Sequence, residues 1–146
     1  MKSIVLAAVA AFALGACATG PKLSDSQRLE IHKAHAGPPV NSFYHYGTLY
    51  NWMPLGDSAL TVWLRPNTAY LLTLASDCPN LEYGRTISLG NPSGGSVFAG
   101  LDKVTVIDQA VPIPCRIEQI QPLDAQALRA AEREARDELQ ASVGGT

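Results

Sequence analysis

SALTVWLRPNTAYLLTL, residues 58–74, is the stretch that decides the fold. Leu60, Val62 and Leu64 alternate with Thr61 and Trp63, the period of two that sends successive side chains to opposite faces of a strand. Arg65, Pro66, Asn67 and Thr68 supply turn chemistry, with Pro presetting φ and Asn tolerating a tight corner. Ala69 to Leu74 is then nearly continuous in apolar residues. The segment predicts a β-hairpin that feeds a central strand.

Working outward, Arg85 to Leu89 points Ile87 and Leu89 one way and Thr86 and Ser88 the other, and Lys103 to Asp108 repeats the pattern with Val104 and Val106. Cys115 to Ile120 follows Pro112 and Pro114, which cannot donate ladder hydrogen bonds and so belong at a strand entrance or edge. Gly90 to Gly95 reads as the most flexible loop. Residues 41–123 therefore form a β-rich domain of about six short antiparallel strands in a curled sheet or small barrel, and the chain is mainly β with helices at its margins. Past Asp124, a helix cap, the period changes: Leu128, Ala131, Ala135 and Leu139 form one stripe of an amphipathic helix within 124–146, supported by the pairs Glu132/Arg136 and Arg133/Asp137. Upstream, Ser24 with Gln27 fits a capping box, Leu29, Ile31 and Ala34 make a weak apolar side, and Gly37, Pro38 and Pro39 end a short helix that either docks on the domain or floats.

The chain begins with Lys2, an uncharged run from Ile4 to Leu14, and Leu14-Gly15-Ala16-Cys17. That run is well short of the roughly 20 residues of a spanning helix, and charges or prolines interrupt every later apolar run. The start reads as an export signal, and the four residues resemble the lipobox of bacterial lipoproteins. The resemblance implies that residues 1–16 are a signal peptide that is removed. It implies lipidation of Cys17, and a lipid anchor and tether over 17–40; the alternative is a secreted protein cut without lipidation. Ala18 and Thr19 include no Asp of the kind that retains lipoproteins at the inner membrane, which favours the outer membrane. The formal net charge is −2 and no basic block occurs, which disfavours nucleic acid as a partner. With Cys17 assigned to lipid, Cys78 and Cys115 remain in an oxidising compartment, where two thiols usually pair.

Further segments resemble a family of small proteobacterial lipoproteins catalogued only as a domain of unknown function. They are Ala36 to Val40; Trp52 to Asp57; Val62 to Pro66; Ala69 to Leu72 before Cys78; Pro114 to Ile117; and Gln121 to Asp124. Leu64 departs from the Thr expected before Arg65 and Pro66. The resemblance implies export, the anchor and the Cys78–Cys115 pairing, and it carries over no catalytic residue.

Candidate chemistry is sparse. His32 and His35, three apart on the tether helix, with His45 near them in sequence, are weak candidates for zinc or copper. No fourth ligand accompanies them, so they read as solvated, and no metal or cofactor is expected. Tyr44, Tyr46, Tyr50 and Trp52 share one face if residues 43–52 are one unbroken strand, a row suited to stacking sugars or gripping an extended peptide. The same row also suits a core, and Gly47 signals a bend that would split it. A hydrolase elbow fails at Ser93, where Asn91 stands for its first glycine, and at Ser96, where Phe98 stands for its second. Asp57, Asp77, Asp102, Asp108 and Glu118 are scattered acids, and Asp57 suits an Asx turn. The expected role is a non-catalytic binding or assembly module with an envelope protein or glycan as partner; the alternative is an enzyme acting on cell-wall or lipid material. An enzyme requires two or three of His45, Asp57, Arg65, Asp102 and Arg116 to meet in one cleft.

Overall fold

The computed structural model describes residues 20–145, so the leader, the lipobox and Cys17 lie outside the described residues. The elements are α1 (Asp25–Ala34), β1 (Ser42–His45), β2 (Asn51–Pro54), β3 (Ala59–Arg65), β4 (Thr68–Leu74), β5 (Ile87–Leu89), β6 (Gly95–Phe98), β7 (Lys103–Val106), β8 (Pro114–Leu123) and α2 (Ala125–Val143). The chain is mainly β. A curled, half-barrel sheet has the order β2-β3-β4-β8-β7-β5, and a smaller sheet pairs β1 with β6. Every pairing is antiparallel.

The described residues form eight strands where about six were expected, for two reasons. Gly47, at φ +89°, breaks residues 43–52 into β1 and β2, which join different sheets. Gly95–Phe98 also leaves the flexible loop to pair with β1, Phe43 opposite Val97. The quoted hairpin is β3 and β4, with an irregularity between Trp63 and Arg65 as the chain enters its turn. Pro114 opens β8, whose first residues pair with β7 and whose remainder pairs with β4.

β3 is buried from Ala59 to Trp63 because both of its faces are covered. Leu60 and Val62 enter the curled interior with Leu72, Ile117, Ile120, Val97 and Val104. Ala59 and Trp63 face a second cluster with Leu55, Leu71, Leu123, Ala125 and Leu128, and Leu29 and Ile31 of α1 pack against it. A fully buried Leu such as Leu128 stabilises the fold by about 1.5–3 kcal/mol.

Helix α1 docks and does not float. Ser24 accepts the Gln27 N–H while the Gln27 side chain accepts the Ser24 N–H, completing the capping box. Behind the helix, the Gly37 N–H donates to the Pro122 carbonyl and the Val40 N–H to the Ile120 carbonyl, both at 2.8 Å, so residues 37–40 cover the edge of β8. Asp124 caps α2 by accepting from the Gln126 and Ala127 N–H groups. Cys78 and Cys115 form a disulfide that ties the segment after β4 to the start of β8.

Candidate functional site

Strands β2 and β5 end the large sheet, so each pairs along one side only. Curling brings both ends to one cleft of about 420 Å³, where Trp52 of β2 faces Ile87, Ser88 and Leu89 of β5, with Leu49, Pro92 and Ile107 completing the apolar wall. The cleft is the seam along which the barrel fails to close. Hydrogen bonds from Ile107 N–H to the Thr86 carbonyl and from Gly90 N–H to the Lys103 carbonyl set the β5–β7 alternation. Main-chain groups of Ile87 and Leu89 consequently turn away from β7.

His45, at the end of β1, lines this cleft and is 3% exposed. Its Nδ1 accepts the Gly47 N–H at 3.2 Å, which places the ring proton on Nε2. That Nε2 is buried and has no hydrogen-bond partner among the described residues. Two glycines bring the surrounding loops together: a Cβ at Gly94 (φ +99°) would lie 2.8 Å from the Gly47 nitrogen and 3.0 Å from the His45 carbonyl oxygen. Only bare backbone fits there. At the rim, Arg85 and Thr86 are exposed, and the Asp108 carboxylate accepts both of their N–H groups at 3.0 and 3.3 Å. The Arg85 N–H in particular holds the Asp108 carboxyl below its ordinary range.

A second polar cluster lies under the helices. His32 of α1 places Nδ1 2.6 Å from the Thr61 hydroxyl, and its Nε2 donates to Glu132 of α2 at 2.8 Å. Arg136 donates to the other Glu132 oxygen at 3.1 Å. The His32 hydrogen bond holds the Glu132 carboxyl below its ordinary range against the opposing effect of desolvation, helped by the charges of His32, Arg136 and Arg28. A hydroxyl, an imidazole and a carboxylate in this order match the parts of a nucleophilic relay. Thr61 is wholly buried in the middle of β3, however, does not line the seam cleft, and has its hydroxyl engaged by His32. The cluster joins α1, β3 and α2.

The sequence-stated candidates separate in space. Tyr44, Tyr46, Tyr50 and Trp52 do not share a strand face: Tyr44 and Tyr46 stack edge to face at 5.0 Å on the surface, whereas Trp52 is half-buried in the cleft. Tyr50 lines a different groove beside Met53 and Trp63. The reading of solvated histidines is corrected for His32 and His45, which are buried, while the half-buried His35 donates from Nδ1 to the Ile31 carbonyl. The three do not gather into a metal-binding cluster, and no such cluster occurs among the described residues. Asp57 contributes its backbone carbonyl, to the Cys78 N–H, where an Asx turn was expected of its carboxylate. Asp102 instead takes the Phe98 N–H on its carboxylate at 2.6 Å. Of the five polar residues an enzyme would gather, only His45 lines the cleft.

Sequence reasoning missed Glu132 and Arg85. Glu132 was detectable, because Ala125, Leu128 and Glu132 follow the spacing of one helix face, which makes the acid part of the inward stripe. Arg85 carries no such signal, since its place in the same cleft as His45 depends on the curl of the sheet.

Residues 1–138 match the model of a family described as a family of unknown function (DUF6491). No curated protein and no solved structure matches the chain.

Proposed function

The chain belongs to this family of unknown function, and from that premise we propose that it is a non-catalytic binding module of the bacterial cell envelope, with the seam cleft as its ligand site. In this reading lipid on Cys17 holds the module on a membrane, the outer one being favoured by Ala18 and Thr19. The N-terminal pattern supports the anchor, and a core disulfide suits an oxidising compartment. No helix among the described residues is long and apolar enough to cross a membrane. One observation carries the binding reading: a cleft with apolar walls is lined by His45, whose buried Nε2 has no hydrogen-bond partner among the described residues. Buried donors are normally satisfied, so a site of this kind is built for an acceptor from outside the chain. Catalysis has less support, because Asp57, Arg65, Asp102 and Arg116 do not join His45 in the cleft and the Thr61 hydroxyl lies outside it, engaged by His32.

The test combines fractionation with binding. Native protein should partition with membranes and carry acyl chains at Cys17 by mass spectrometry, and Cys17→Ser should release it. Envelope extract added to the Cys17→Ser chain should change Trp52 fluorescence saturably, and Trp52→Phe should abolish the change. An unmodified Cys17 thiol refutes the anchor, and an extract without effect refutes the binding reading.

A further inference from the structure

We infer that the seam cleft binds a small amphiphilic carboxylate, a ligand with a two-oxygen anionic head and an apolar body. The inference rests on the binding reading and names its ligand class. His45 offers a donor, because its tautomer is set by the Gly47 N–H and leaves a buried Nε2 proton with no acceptor among the described residues. A hydroxyl or amine head is a poorer match than an anion, because Arg85 lines the same cleft and no described acid lies within ion-pair distance of its guanidinium, whose charge reaches Asp108 only from farther off. The nearby Asp108 carboxylate is occupied by the backbone N–H groups of Arg85 and Thr86. A guanidinium fork and an imidazole N–H together suit a planar carboxylate, which accepts on both oxygens. Leu49, Trp52, Ile87 and Leu89 supply the wall for an apolar body. At about 420 Å³ the space suits a small molecule.

The full chain carrying Cys17→Ser avoids detergent, which would compete for an apolar cleft. Trp52 fluorescence follows titration with hexanoate, octanoate and decanoate, with octanol and octylamine as chain-matched controls. Octanoate should bind saturably and at least about tenfold more tightly than octanol, as expected for one charge-assisted hydrogen bond. Arg85→Gln and His45→Gln should each weaken octanoate about tenfold and leave octanol unchanged. Arg85 is exposed, so its variant keeps the test decisive should His45→Gln fail to fold. Equal affinity for octanol and octanoate, or wild-type affinity in Arg85→Gln, overturns the proposal. So does a crystal grown with octanoate that holds only a water on His45 Nε2. Failure of every carboxylate while envelope extract still shifts Trp52 fluorescence overturns the ligand class and leaves the binding reading standing; failure of both overturns both.

Discussion

Replacing Glu132 with Ala should cost the fold about 2–4 kcal/mol, most of it from a histidine that is not itself altered. The wholly buried His32 ring donates from Nε2 to Glu132 at 2.8 Å, and without the carboxylate that N–H has no acceptor. An orphaned buried donor costs about 1–3 kcal/mol, more when the lost partner is charged. The Arg136 bond at 3.1 Å adds less, about 0–1 kcal/mol, because the Arg136 side chain is half-exposed. Glu132→Gln preserves an acceptor oxygen and loses only the charge, so it should cost about 1 kcal/mol. Urea unfolding with the disulfide intact reads both values, and the Ala variant should shift the midpoint by about 1 M or more for an ordinary slope. The pH dependence has a definite sign. The Glu132 carboxyl titrates below its ordinary value when folded, so its contribution is complete above the ordinary carboxylate range and is lost as pH falls through the folded value. Glu132→Gln should therefore flatten the stability profile below about pH 5 relative to the parent. If Glu132→Ala falls within 0.5 kcal/mol of the parent by the usual measure of a neutral surface change, the cluster does not clamp the helices and the reasoning fails.

Three other outcomes follow from particular contacts. Reducing the disulfide, or replacing Cys78 and Cys115 by Ala, opens a loop of sequence separation 37 and should lower stability by about 3–4 kcal/mol, read as a fall in melting temperature. Gly94→Ala should cost about 2 kcal/mol or more, since its Cβ meets backbone, whereas Gly100→Ala, also at positive φ but in open space, should cost about 1 kcal/mol; paired urea titrations test the difference. Tyr44→Ala should leave stability within about 0.5 kcal/mol because Tyr44 is exposed, while Trp52→Ala, half-buried against the inner core, should lose about 2 kcal/mol; thermal melts that rank them the other way would return Tyr44 to the core.

The local features of the fold were legible because they rest on near neighbours. Alternation in residues 58–74, the Pro and Asn turn, the Ser24 capping box and the Asp124 cap each depend on contacts within a few positions, and each is present. Gly47 marked its bend for the same reason, since a positive φ is a property of one residue. Strand β6 was less legible: Gly95 and Ser96 lack strand propensity, and the segment becomes a strand by pairing with β1, fifty or more residues earlier.

The sequence by itself determined the β class, the two marginal helices and the pair of cysteines, Cys78 and Cys115, that form the disulfide. Tertiary structure alone decided the site. His45 and Arg85 lie far apart in sequence and share a cleft only because the sheet curls until its end strands face each other. His32 and Glu132 are 100 residues apart and meet only because α1 and α2 lie on the same face of β3. Periodicity reports which side of an element is buried; it carries no information about which distant element covers that side, because that choice is made by packing across the whole chain.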